Sequence, residues 1–169
     1  MFSIEQKDLD KYMPKVKGVS YENYHPDHIE LFKGLDIHGV SLLSQQNRKQ
    51  GVNYQSTTGP TITALHDNNP VAIFGCCILW SGVGEAWAVF DEKARRYPIA
   101  MTKGAFTFFD IVEILFSLHR LQITVVSEDK RAVAWAKYLG FISEGLMKQH
   151  SADKKDTFMM RRIIDGRHS

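Results

Sequence analysis

Residues 121–141, LQITVVSEDKRAVAWAKYLGF, limit the possible folds more than any other stretch of the chain. Ile123, Thr124, Val125 and Val126 form a β-branched run with little alternation, which predicts a short strand covered on both faces. Ser127, Glu128 and Asp129 follow and offer an N-cap and acidic groups where a helix N-terminus carries partial positive charge. Ala132, Trp135, Ala136 and Leu139 then recur at helical spacing. Gly140 stands where a helix stops, and Phe141 opens a new apolar run. The stretch therefore reads as a buried strand, a tight polar junction and a helix folding back. In open α/β sheets, ligands sit beyond the carboxyl ends of strands at such junctions.

The 169 residues suit one domain, and a chain near this size buries roughly 70% of its unfolded surface without staples. A formal charge of +2, with no block of like charges, gives no reason to expect nucleic acid as a partner. The C-terminal arginines 161, 162 and 167 are only a weak basic excess. Cys76 and Cys77 are neighbours in an apolar run, so their side chains point to opposite faces of a strand and a bond between them is not expected. They read as small buried hydrophobes in a reducing compartment. Met1–Asp10 has no signal-like apolar core, and Val71–Phe90 is too interrupted by glycine and Glu85 to span a membrane. His25 and His28 are three apart, but no third ligand is evident, and no metal is expected.

Taken in order, residues 1–56 form a helical, irregular N-terminal part. Phe2–Ile4 is a candidate edge strand, Glu5–Val16 a helix broken by Pro14, and Pro26–Phe32 a helix ending near Gly34. Asp36–Asn47 is a further helix candidate. From about residue 60 to 165 the pattern is a sheet-containing core. Strands are predicted at 61–65, at 71–80 with both faces buried, and at 85–90, joined by turns at Asp67–Pro70 and Ser81–Gly84. Pro98 starts a helix that is apolar on most sides as far as Leu118. A hairpin, 142–149 and 157–164, closes the chain. The fold class is α/β (α+β): a mixed, mostly antiparallel sheet flanked by helices, in the order helices-β-β-β-α-β-α-β-β.

Asp129-Lys-Arg-Ala132 followed by Leu139-Gly140-Phe141 resembles the Asn-x-x-Ala…Gly-Phe signature of the GNAT superfamily of N-acetyltransferases. His119-Arg120-Leu121-Gln122 before the strand, and Glu144-Gly145-Leu146 then Asp156 after the helix, share that superfamily's wording. Together with Arg95-Arg96-Tyr97-Pro98, they resemble GNAT-like proteins encoded by tailed phages and prophages, some of them described as internal virion proteins. The resemblance covers about two-thirds of the chain and is weakest before residue 60. It implies acetyl-CoA as co-substrate, an amine acceptor of unknown identity, and a setting in bacterial cytoplasm. A host or virion protein is the further partner it implies. The alternative is a catalytically silent GNAT-fold binding or virion protein.

The same resemblance places the cofactor between the third strand of the meander and the strand after the long helix. Main-chain groups of Ala88, Val89 and Phe90 would pair with the pantetheine amides, although three ordinary core-strand residues explain these side chains equally well. The superfamily's pyrophosphate loop, Gln/Arg-x-x-Gly-x-Gly/Ala, is missing from Asp91–Lys103. Arg95, Arg96 and Lys103 would replace it with charge-assisted hydrogen bonds, or Arg95 and Arg96 are a solvated pair. Asp129 replaces the signature Asn. Glu85 is the candidate general base, or it simply faces water after the glycine-rich turn. The superfamily's tyrosine acid falls at Ala136, and Tyr138 lies two residues on, turned about 200° around the helix. Trp80, Trp87 and Trp135 read as core, with one of them available to line an acceptor pocket.

Overall fold

A computed structural model describes residues 2–34 and 45–164. The chain runs α1 (Gln6–Tyr12), β1 (Val19–Asn23), α2 (Pro26–Glu30), α3 (Gln45–Ser56), β2 (Thr61–His66), β3 (Asn69–Trp80) and β4 (Val83–Phe90). A 3₁₀ turn (Glu92–Arg96) leads to α4 (Pro98–Leu115), β5 (Arg120–Val126), α5 (Lys130–Tyr138), β6 (Ile142–Met147) and β7 (Thr157–Ile163). The strands form one seven-stranded sheet in the order β1-β2-β3-β4-β5-β7-β6. Every pairing is antiparallel except β4 with β5. This is the mixed, mostly antiparallel architecture read from the sequence, with one strand more.

Backbone chemistry sets the element ends. Pro14 follows the C-cap of α1, while Pro26 and Pro98 occupy first turns, where a missing N–H costs nothing. Asp67 and Asn68 both have positive φ, so two residues turn β2 into β3. Pro70 faces Leu65 at a register shift, where a ladder hydrogen bond is dispensable. α5 ends in a Schellman motif. Gly140 has φ +94°, its N–H donates to Lys137 O, and the Phe141 N–H donates to Ala136 O at 3.0 Å.

Each face of the sheet carries its own core. Phe74, Cys76 and Ala86 point towards α4 and α5 and pack with Phe108, Leu121 and Phe141. Ile73 and Val89 point the other way, onto Ile29 of α2, Val52 of α3 and Phe32 just after α2. Fully burying a side chain such as Phe74 or Phe108 is worth about 1.5–3 kcal/mol.

Several expectations are corrected. Phe2–Ile4 is no strand: the Asn23 side chain takes both Ile4 backbone groups, and Val19–Asn23 forms the edge instead. α2 stops at Glu30, short of Phe32. Most of the Asp36–Asn47 candidate lies outside the described residues, and α3 begins near its end. β3 is buried only over its first half, and Trp80 is 64% exposed. Only Leu121 of β5 is fully buried; the strand is half-open because it walls a cavity.

Arg162 belongs to the weak basic excess near the C-terminus, yet it is a core residue. It is 2% exposed, with Nη2 2.7 Å from Asp110 Oδ1 and Nε 3.2 Å from Glu113 Oε1. Phe106 and Phe141 present their rings to its guanidinium. Arg162→Met would leave buried Glu113 without its counter-charge and is expected to cost about 3–5 kcal/mol. Denaturant unfolding measures it, and a loss below about 1 kcal/mol, the size of an exposed ion pair, would show that the pair contributes little.

Candidate functional site

The parallel pairing of β4 and β5 lasts three rungs, Val83–Arg120, Gly84–Leu121 and Glu85–Gln122. Beyond Glu85 the strands part. β4 stays with β3 as far as Phe90–Ala72, and β5 stays with β7 as far as Val126–Thr157. The wedge between them is a cavity of about 480 Å³. Ala86 and Ala88 keep its β4 wall low, while Ile123 and Val125 form the β5 wall. Phe90 and Trp135 meet edge to face at 5.6 Å, and Trp135 Nε1 donates to Thr102 Oγ1 at 2.9 Å. Trp87, Thr124 and Arg48 line it as well, and Trp87 belongs to the α2–α3 side of the sheet. The cavity therefore passes from one face of the sheet to the other.

Two helices begin at this wedge. α4 starts at Pro98 on the cavity wall, and its N-cap, Tyr97, supplies no side-chain acceptor. Its first-turn N–H groups and the positive end of its dipole are thus available to an anion. α5 starts beside the end of β5, where Asp129 Oδ1 accepts from the Ala132 N–H at 3.0 Å. Arg95 and Arg131 also line the cavity.

Glu85 occupies the last paired rung, at the vertex of the wedge, and is half-buried. Gln122 Nε2 donates to Glu85 Oε2 at 3.4 Å, and Arg120 Nε donates to Gln122 Oε1 at 3.0 Å. Arg120 Nη2 continues to Glu144 Oε1 at 2.6 Å, and Arg161 Nε lies 3.6 Å from Glu144 Oε2. That hydrogen bond from Arg120 holds the Glu144 carboxyl below the usual glutamate range. Across the β3–β4 ladder Glu85 faces Cys77, whereas the Cys76 thiol is pushed up by burial. Both cysteines are free.

Of the residues singled out in the sequence, Ala88, Phe90, Arg95 and Asp129 line the cavity. Val89 turns its side chain into the α2–α3 cluster, so only its main chain belongs to the wedge. Arg96 and Lys103 are exposed and are not among the lining residues. Gly104 is a packing glycine: a Cβ there would lie 2.8 Å from the Tyr21 hydroxyl. Ala136 is buried on the cavity wall and Tyr138 is 74% exposed, so no tyrosine lines the cavity among the described residues. His28 is not a surface histidine, because its ring sits between Glu22 at 2.8 Å and Thr63 at 2.7 Å. No group of three or more His, Cys, Asp or Glu side chains among the described residues is arranged to hold a metal. Among them, too, no helix is long and apolar enough to cross a membrane. Arg48, Thr102 and Arg131 line the cavity too, although each reads in the sequence as an ordinary polar helix residue.

No protein-family model and no curated protein matches the sequence. Solved structures do match, at low identity. A GNAT-family acetyltransferase from Streptococcus pneumoniae is 16% identical, with a TM-score of 0.66 over 86% of this chain and 99% of its own. A ribosomal L7/L12 α-N-protein acetyltransferase in complex with coenzyme A is 16% identical, with a TM-score of 0.69 over 90% of this chain and 98% of its own. A spermidine N-acetyltransferase chimera from Vibrio cholerae and hSSAT is 12% identical, with a TM-score of 0.68 over 87% and 96%. The chain has the GNAT fold.

The Asp129 cap carries a direct test. Asp129→Ala is expected to lose about 0.5–2 kcal/mol of stability. Asp129→Asn keeps an oxygen for the Ala132 N–H and is expected to lose only a fraction of that. Thermal unfolding of the two variants checks this, and equal losses would mean that the cap bond is not what holds α5.

Proposed function

We propose that this protein is an acetyl-CoA-dependent N-acetyltransferase. The observation that carries the reading is the wedge, an apolar slot between two parting parallel strands with an uncapped helix N-terminus and Arg95 on its wall. The edge of β4 beyond Glu85 has no strand partner on its β5 side, so the main chain of Ala88, Val89 and Phe90 is open to an extended, amide-bearing ligand. Acetyl-CoA fits this donor set: a pantetheine arm along β4, and a pyrophosphate on the α4 N-terminus with Arg95 and Arg131. When bound, it supplies an acetyl thioester.

Glu85, at the vertex, takes the proton that the acceptor amine must lose, directly or through one water. The amine nitrogen bonds to the acetyl carbon, the carbon–sulfur bond breaks, and the sulfur leaves with the bonding electrons. With no tyrosine among the described lining residues, that thiolate takes its proton from solvent, giving an amide and a free thiol. The resemblance to phage and prophage proteins supports a setting in bacterial cytoplasm, with a host or virion protein among the candidate partners. The second reading, a binding protein without catalysis, is favoured by the exposure of Tyr138 and the missing glycine pair.

Calorimetric titration is expected to show acetyl-CoA binding in the micromolar range. Arg95→Ala is expected to weaken it by about ten-fold or more, the worth of one charge-assisted hydrogen bond. Arg96→Ala and Lys103→Ala should leave it nearly unchanged. Asp129→Asn, which removes a negative charge from the wedge, should tighten it by about two- to five-fold. Absence of binding by the folded wild type would overturn the transferase reading. Glu85→Gln is expected to lower kcat by about 10²–10⁴ with cofactor affinity kept. An unchanged kcat would remove Glu85 as the base.

A further inference from the structure

The α2–α3 side of the wedge holds two buried hydrogen-bond donors without an acceptor. Arg48, near the start of α3, lines the cavity with its Nε buried and unbonded. Trp87 Nε1 is in the same condition on the same cavity. The indole cannot easily swing to water. It lies so close over Gly75 that a Cβ there would meet the ring at 2.2 Å, and it packs against the cluster containing Val52. Val52, one turn beyond Arg48, anchors that face of α3 to the sheet. Burial lowers the pKa of the Arg48 guanidinium, so its charge sits where water does little to stabilise it. The carboxylate among the described lining residues, Asp129, accepts from the Ala132 N–H at the far end of β5. Buried donors without acceptors call for an acceptor from outside the chain.

We infer that Arg48 and Trp87 bind a carboxylate of the acceptor, so that the acceptor is an amine bearing a carboxylate close to its nitrogen and not a polycation. Trp87 and Glu85 are alternate residues on one face of β4, about 7 Å apart along the strand. A carboxylate held at Trp87 thus brings a nearby amine to the vertex, where Glu85 and the thioester would meet it. A free amino acid and a protein N-terminus with an acidic second residue both have this chemistry.

The inference rests on the transferase reading, and the experiment separates the two. Acetyl-CoA binding is measured first. Thiol release is then followed with glutamate, aspartate and a Ser-Asp-Glu peptide amide, against glutamine amide, a Ser-Asn-Gln peptide amide and spermidine. At least one carboxylate-bearing amine is expected to exceed its neutral counterpart by about ten-fold in kcat/KM. Preference for glutamate or aspartate would indicate a free amino acid, and preference for the acidic peptide a protein terminus. Arg48→Met should erase the preference through KM, with acetyl-CoA affinity intact, and Arg48→Lys should restore part of it. Trp87→Phe, which keeps the ring and removes the N–H, should reduce the preference by a smaller factor.

Equal or faster turnover of spermidine would overturn the inference. So would an Arg48→Met loss that falls on acetyl-CoA binding, or no transfer to any carboxylate-bearing amine while acetyl-CoA binds. Failure to bind acetyl-CoA at all would remove the transferase reading, and this inference with it.

Discussion

The structure turns on a hydrogen-bond ladder that stops early. β4 and β5 share three rungs, and each then follows its outer neighbour. Asp91 helps to hold β4 on its course: fully buried, it accepts from the Lys33 N–H at 2.6 Å and the Lys93 N–H at 2.9 Å. The end of β4 is thereby tied to the chain leaving α2 and to the 3₁₀ turn. Seven rungs with β7 hold β5 on the other side. Each strand is thus held along its outer edge, while beyond Glu85 the facing inner edges of β4 and β5 are not paired with each other.

The charges follow the two faces of that slot. On the α4–α5 side, Arg95, Arg131 and the N-terminus of α4 line it. On the α2–α3 side, among the described residues, the guanidinium of Arg48 and the indole of Trp87 line it. At the vertex, Glu85 sits at the end of a relay of hydrogen bonds running through Gln122 and Arg120 to Glu144. The relay meets the Glu85 carboxylate through the Gln122 amide.

What the sequence reveals is what the backbone needs. Pro14, Pro98, Asp129 and Gly140 mark ends because ring geometry, a short carboxylate and a positive φ have local signatures. β1 leaves almost none: Val-Ser-Tyr-Glu-Asn buries only Tyr21 on one edge of the sheet. Arg48 lies in Gln-Gln-Asn-Arg-Lys-Gln, a polar run with no apolar stripe to show which side faces the protein. The burial of Arg162 has no local signature because the carboxylates that receive it, Asp110 and Glu113, are about fifty positions away. The wedge itself is a disagreement between two ladders, and no single segment encodes it.

The buried arginine has a further consequence for the C-terminal hairpin. Side chains along β7 alternate between faces, with Arg162 inward and Arg161 outward beside Glu144. β6, the neighbouring edge strand, is exposed along most of its length and exerts little steric control over alignment. A slip of one residue would carry Arg161 into the core and Arg162 out of it, separating both from the carboxylates that now receive them. Asp110 and Glu113 thus act as a keyed socket: they admit β7 in one alignment, and through β7 they set where β5 lies against the slot.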